Sequence, residues 1–376
     1  MKKKQRVPAP RGGQFDDLAA YEVGCGRISL RCASMRWKIM PTGGESGECR
    51  VRAVRTLIGW ARRCELGKVT SVMQGKIANV LKRIAFGIRN FLVSPFLQQR
   101  ASPIQYPDAA TQLQLKLTYR ALVNSNSALP NLSQVGFKVF SQTDEDGILL
   151  YIFSIIGVTN KHSIEICAGD GIECNTANLI VNHGWHGLLV DGNKARVKKG
   201  LEFYKKNSHT YVYPPRFVHQ WLTRDNINDV LIGSGFDGGI DLMSLDMDGV
   251  DYWIWEAIKV VEPRVVVVEY QDIIGPVKSL TVPYKDDFDA NKYPTTAGMP
   301  NFCGASLPAF AKLAERKGYR LVGCNRYGYN AFFIKNSIGV DKIPEININE
   351  CFKHPKVLWG MKERFPSVKD FPWVEV

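Results

Sequence analysis

The sequence predicts an α/β protein: a doubly wound sheet with an antiparallel final strand, preceded by a basic helical N-terminal arm. Three observations carry that prediction. From Gly136 onward, apolar runs short enough for strands alternate with stretches of helical period. One run, Val265-Val266-Val267-Val268, is too apolar for a half-exposed strand and suits a central parallel one. Last, Arg320–Cys324 and Tyr329–Ile334 are separated only by the turn Asn325–Gly328, so they read as a hairpin and the final strand runs antiparallel to its neighbour.

Taken in order, residues 1–72 are rich in Gly, Arg and Ser without a sustained period and read as a disordered basic arm; the change of composition at Met73 also fits a natural start there. Residues 73–133 read as a helical extension and linker. Within them Ile77, Val80, Leu81, Ile84, Ile88, Phe91 and Leu92 recur at three- and four-residue spacing among Lys76, Lys82, Arg83 and Arg89, a basic amphipathic helix that Pro95 ends. A second helix is expected over Ala110–Val123, followed by the Asn/Ser/Pro linker Asn124–Ser133. Residues 134–340 form the main domain and 341–376 a C-terminal tail. The main domain reads as helix Glu145–Ile156, strand Ser163–Cys167, helix Glu173–Asn182, strand Gly187–Val190 closing on Asp191, helix Lys194–Asn207 and strand Thr210–Tyr213. It continues with helix Asn226–Gly233, strand Ile240–Leu245, helix Tyr252–Val261, strand Arg264–Glu269 and helix Ala305–Lys317, then the hairpin. Between Gln271 and Gly304 lies a segment with no period of its own, of the kind that forms lids or stays disordered, expected to hang over the carboxyl edge of the sheet.

Composition narrows the function. The 376 residues carry a net charge of +13, but residues 1–100 hold 20 Lys/Arg against 6 Asp/Glu and the remainder holds 29 against 30. The basicity belongs to the arm, so nucleic acid is not the expected partner of the domain; the basic helix at 74–97 suits either an anionic membrane surface or, as the competing reading, packing of its apolar stripe on the domain with the charges solvated. Nine cysteines with no CxxC pair fit neither a disulfide framework nor a zinc ribbon, and reduced thiols in a cytoplasmic protein, at most peripheral to the inner face of a membrane, are the expectation. No uncharged apolar run reaches the roughly 18 residues a spanning helix needs.

In an open α/β sheet the ligand lies beyond the carboxyl ends of the strands. Glu165-Ile166-Cys167-Ala168-Gly169-Asp170-Gly171 follows the first strand, with glycines where the backbone turns tightly and approaches a ligand. Asp191 ends the second strand 20 residues after Gly171, where a carboxylate accepts ribose hydroxyls in both nicotinamide and adenosyl-methionine sites, or caps the next helix. Cys174 stands where a dinucleotide fingerprint Gly169-x-Gly171-x-x-Gly needs its third glycine, which demotes NAD. Asp246 and Asp248 follow the fourth strand and Glu269 ends the fifth, with Asp272 just beyond. Such carboxylates can converge to hold magnesium or to act as a general base, or Asp246 and Asp248 can simply cap the following helix. His183 and His186, flanking Trp185, read as packed or surface histidines; His219 is a weak candidate for base or adenine contact, and Asn330 for a supporting role.

The set Ser141-Gln142-x-Asp144-Glu145-Asp146-Gly147, Glu165–Gly171, Asn175-Thr176, Gly184-Trp185-x-Gly187-Leu188-Leu189-x-Asp191, Leu245-Asp246-x-Asp248-Gly249-x-Asp251-Tyr252 and Asn330-Ala331-Phe332-Phe333 resembles the FkbM-type family of S-adenosylmethionine-dependent methyltransferases over about residues 141–335. The resemblance implies a Rossmann-like sheet of the class I methyltransferase type and S-adenosyl-L-methionine (SAM) as cofactor. Its methionine part would lie near Glu165, Ala168, Gly169, Asp170 and Gly171, its ribose on Asp191, and the acceptor near Asp246 and Asp248; the candidate Mg2+ ligands Asp246, Asp248 and Glu269 rest on the strand-end pattern alone. It also implies a small-molecule or glycan acceptor, a sugar or natural-product hydroxyl, and O-methylation. Cys167 departs from the motif, which carries glycine there. An NAD-dependent sugar oxidoreductase or epimerase, and a non-catalytic cofactor-binding module, are the alternatives.

Overall fold

The computed structural model describes residues 18–23, 26–31 and 107–376; the amphipathic helix expected over 74–97 lies outside them. In the arm, β1 (Leu18–Val23) and β2 (Gly26–Arg31) pair antiparallel, with Ala19 opposite Leu30 and Tyr21 opposite Ile28. This hairpin falls in the stretch read from sequence as lacking regular structure. Its alternating runs are only six residues each, too short to register as a sustained period.

The second unit opens with helix Ala109–Asn124, whose first turn is capped by the Asp108 carboxylate accepting from Thr111 N at 2.8 Å. Helix Glu145–Ile156 follows with the predicted bounds. Five parallel strands come next: β3 (His162–Ile166), β4 (His186–Asp191), β5 (Arg216–His219), β6 (Gly238–Leu245) and β7 (Val261–Glu269). Short strands β8 (Leu280–Thr281), β9 (Thr295–Thr296) and β10 (Met299–Pro300) precede β11 (Tyr319–Cys324) and β12 (Asn330–Lys335), and β13 (Val374–Glu375) closes the chain. The main sheet has the order β11-β12-β7-β6-β3-β4-β5, with β12 antiparallel to both β7 and β11. The order reverses at β3, so the carboxyl ends of β3 and β6 flank the crevice where ligands bind in such sheets.

The valine run explains itself here. Val266 and Val268 pack into one apolar layer, Val265 and Val267 into the other, and all four are fully buried. A strand covered by helices on both faces has no polar side to show.

Three boundaries differ from the sequence prediction. Thr210–Tyr213 is not a strand: Tyr211, Val212 and Tyr213 are exposed, and the strand is β5, paired with β4 from Leu188↔Arg216 to Asp191↔His219. Pro214 and Pro215 carry no N–H for a ladder, which delays pairing to Arg216. The helix expected from Glu173 begins at Ala177, and the one expected to reach Val261 stops at Ala257 because Val261 already belongs to β7, opposite Gly238.

The segment Gln271–Gly304 is built rather than structureless. It holds short helices at Asp272–Ile274 and Ala290–Lys292, and β8 pairs with β13 so that the C-terminal residues pack against it. Phe302 is fully buried, with ring centroids 5.2 Å from Phe371 and 4.5 Å from Trp373. Residues 341–376 are therefore part of the cap over the sheet edge, joined to it by aromatic contacts 70 residues apart in sequence.

Candidate active site

The glycine loop leaves β3 through three left-handed residues at alternate positions: Cys167 (φ 61°), Gly169 (φ 60°) and Gly171 (φ 65°). Gly171 is required twice over, since a Cβ there would also lie 2.7 Å from Leu189 and 2.9 Å from Phe217. Ala168 N donates to Val190 O at 3.0 Å and Gly171 N to Ala168 O at 2.7 Å, folding the loop back over β4.

Glu165 lies beneath this loop, only 3% exposed, accepting from Thr176 N at 2.8 Å, while Asn175 beside it donates to the Ser244 hydroxyl at 3.0 Å. Burial pushes the Glu165 carboxyl above the usual range despite the bond from Thr176. It thereby ties β3 to Thr176, the residue that precedes the next helix. Asp170 points outward, accepting from Ile172 N at 3.0 Å and pairing with Lys199 at 2.6 Å. Asp191 takes Gly169 N on Oδ2 at 2.8 Å and Asn193 N on Oδ1 at 2.7 Å, so it anchors the glycine loop and keeps one lone pair on each oxygen for a ligand. The cap of the following helix is Asn193, not Asp191.

At the neighbouring strand ends, Asp246, Asp248 and Glu269 bring one oxygen each to within 4.8 Å of one another. No side chain caps the next helix, so neither Asp246 nor Asp248 does; Asp251, its first residue, accepts from Met247 N at 2.7 Å and Gly249 N at 3.1 Å and holds the preceding turn. Asp248 is itself left-handed (φ 52°). Burial, then the Asp248 charge, push Asp246 up to about 7, and burial together with Asp246 holds Glu269 well above the usual carboxylate range. Carboxyls this close and this buried do not both ionise readily, which is why both are pushed up. Asp272 turns away from this group to meet Lys356 at 2.9 Å.

Beside the carboxylates a cavity of about 270 Å³ opens between β7 and the cap, lined by Asp248, Glu269, Gln271, Met299, Lys356 and Arg364 among others. Its volume sits near the lower end for small-molecule sites. The residues Glu165–Gly171 and Asp191 do not line it, so the glycine loop stands apart from the cavity, whose lining includes Asp248 and Glu269 but not Asp246.

Between them sits Cys167. Burial, and then the nearby Asp251, Asp191, Asp246 and Asp248 charges, push its thiol far up, so it stays protonated. Its left-handed backbone costs a non-glycine residue about 1–2 kcal/mol. We expect Cys167→Gly to leave the melting temperature nearly unchanged, relief of strain offsetting the lost buried sulfur, and Cys167→Val to lower it clearly because a β-branched residue does not tolerate that φ. Equal melting of the two variants would mean that the position carries no strain.

Three contributors were not legible in the sequence. Arg196 reaches within 4.0 Å of where a Gly169 side chain would lie and counteracts part of the upward push on Asp248. Lys356 and Arg364 arrive from the C-terminal residues, and no local pattern announces a residue that folds back over a sheet from more than 80 positions away. His183 bonds Gln112 at 2.8 Å and His186 stacks near Tyr213 at 4.6 Å, both away from the site. His219 ends β5 with Nε2 at 3.1 Å from Gly192 O. Asn330 donates to Glu145 Oε1 at 2.9 Å; Glu145 also accepts from Thr143 N and Asn325, so the Thr143–Glu145 turn is tied to the β11–β12 hairpin.

A seven-stranded sheet in this order, with its antiparallel strand inserted beside β7 and a glycine loop after β3, is of the class I methyltransferase type. No family model matches the sequence, and no curated protein does. Among solved structures the chain is similar to an S-adenosylmethionine-dependent methyltransferase from Clostridium acetobutylicum, at 10% identity and a TM-score of 0.32, over 59% of this chain and 98% of that one. It is also similar to the magnesium protoporphyrin IX methyltransferase from Synechocystis, determined with bound SAM, at 9% identity and a TM-score of 0.30, over 65% of this chain and 93% of that one. The fold assignment rests on the strand order itself.

Proposed function

We propose that the protein is a SAM-dependent methyltransferase of the FkbM type that O-methylates a hydroxyl of a sugar or natural product. The observation that supports this best is a glycine loop anchored by Asp191 together with a cavity edged by Asp248 and Glu269, with Asp246 within 4.8 Å of both. Held by the glycine loop and Asp191, SAM would supply an electrophilic methyl group to the acceptor oxygen and leave as S-adenosylhomocysteine. Positioning the oxygen about 3–3.5 Å from the methyl carbon contributes most of the rate. Asp246, held near neutrality, is the base that takes the hydroxyl proton. The chain's own residues orient, exclude water and receive the proton.

A second reading of the carboxylates is a divalent cation, favoured by three oxygens within 4.8 Å. Loss of turnover in chelator, restored by magnesium, would support it; full turnover in chelator would leave Asp246 as base. The five cysteines among the described residues are free thiols, which fits work in the cytoplasm. Among the described residues no helix is long and apolar enough to cross a membrane. Peripheral contact through residues 74–97 is proposed, and is tested by sedimentation with anionic vesicles at low and high salt.

SAM or S-adenosylhomocysteine at 100-fold over its dissociation constant is expected to add about 2.7 kcal/mol of stability. At roughly 2–4 °C per kcal/mol the melting temperature should rise by several degrees. A flat response to both, with a shift on NAD, would replace this reading by the oxidoreductase; binding without turnover of any hydroxyl acceptor would leave the non-catalytic module.

A further inference from the structure

The cavity beside Asp248 and Glu269 has a second chemical character on the wall built by the C-terminal residues. Lys356 and Arg364 both turn to one carboxylate there: Lys356 Nζ donates to Asp272 Oδ2 at 2.9 Å, and Arg364 Nη1 lies 3.6 Å from Asp272 Oδ1. Both cations pair with Asp272, and Arg364, on which Glu269 also acts, is only 2% exposed while Lys356 keeps a quarter of its side chain open. Buried charge is ordinarily compensated in full, because an unpaired ion in a poorly solvated site is costly.

The donor inventory points the same way. Arg364 Nε is used by Asn301 Oδ1 at 3.0 Å and Nη2 by Pro300 O at 2.7 Å, while Nη1 has no acceptor within hydrogen-bond distance among the described residues. Lys356 spends one of three donors on Asp272 and rests 4.9 Å from the Tyr329 ring centroid, which fixes the ammonium without consuming its protons.

We propose that this wall binds an anionic group, carboxylate or phosphate, of the acceptor, so that the acceptor is an acidic sugar or a similar polyhydroxylated acid rather than a neutral one. This rests on the methyltransferase reading for the word acceptor, though not for the binding of the anion. The polarity of the cavity orients such a molecule: its anion is repelled from Asp248 and drawn to Lys356 and Arg364, which leaves a hydroxyl facing Asp248 and Glu269.

The test is binding of D-glucuronate, D-glucose 6-phosphate and D-glucose to the full chain, by calorimetry or ligand-observed NMR. At least one of the two anions should bind about tenfold or more tightly than glucose, the usual worth of a charged hydrogen bond. Which of them does so separates carboxylate from phosphate. Lys356→Gln should erase that preference and Lys356→Arg should keep part of it, while the thermal shift with SAM, bound at the separate glycine loop, stays as in the wild type. Equal binding of all three sugars, no detectable binding of either anion, or an anion preference that survives Lys356→Gln would overturn the proposal. A SAM shift without anion preference would discard the acidic acceptor and leave the methyltransferase reading standing; anion preference without a SAM shift would do the reverse.

Discussion

Asp246→Asn is expected to slow methyl transfer by about 10²–10⁴-fold, the range in which a positioned general base contributes, while the thermal shift with SAM is retained. The amide keeps the shape and cannot accept the proton. Release of S-adenosylhomocysteine measures the loss, and an undiminished rate would remove Asp246 from the chemistry. The same variant should be more stable than the wild type at neutral pH, by about 0.5–2 kcal/mol, as when a residue kept for function at a cost to the fold is neutralised.

The pH dependence follows from the direction of the shifts. Burial raises Asp246 to about 7, and Glu269 is raised as well, so between the ordinary carboxylate value of 3.8 and about 7 the folded chain holds protons that the unfolded chain has released. Stability therefore declines as pH rises through that window. Asp146 and Asp251, each raised to about 6 by burial, act in the same sense. Melting curves on either side of the window should show a larger loss for the wild type than for Asp246→Asn. Catalysis moves oppositely, rising as Asp246 gives up its proton.

Asp241→Ala is expected to cost about 3–5 kcal/mol, the penalty for breaking a buried ion pair, or roughly 6–20 °C in melting temperature. Asp241 is fully buried in β6 and accepts from Thr159 N, Asn160 N and Lys161 N at 2.9, 3.0 and 2.7 Å and from Arg264 Nη1 at 2.8 Å. Arg264 also donates to Ile156 O and Gly157 O, so one carboxylate gathers the end of a helix, the entry to β3 and two strands. All of this lies at the amino edge of the sheet. The folded fraction should keep its affinity for SAM, and a drop of less than about 3 °C would show that the network is redundant.

Much of the site can be traced to residues read in the sequence, and the limits of that reading have identifiable causes. The glycine loop stood out because Gly169 and Gly171 punctuate a strand-to-helix junction, and Asp246, Asp248 and Glu269 because they close two apolar runs. Reading each acid's task was another matter. Glu165 and Asp191 stood as ligand contacts, and their carboxylates also brace Thr176 N and Gly169 N. Asp251, passed over as one more acid in a motif, is the residue that holds the Asp246–Gly249 turn. A carboxylate's partner is a matter of three-dimensional distance, and one letter in a chain does not state it.

The sequence by itself determined the α/β alternation, the buried central strand and the antiparallel hairpin at the end, because apolar period and turn chemistry act over a few neighbouring residues. Only the tertiary structure decided that β12 lies between β7 and β11, that the segment after β7 is a packed cap, and that Lys356 and Arg364 from the C-terminal residues line the cavity beside Asp248 and Glu269. Those outcomes depend on aromatic burial and charge pairing between residues about 70 to 90 positions apart, such as Phe302 with Trp373 and Asp272 with Lys356. Contacts of that kind are selected by the free energy of the whole packed chain and leave no local pattern in its sequence.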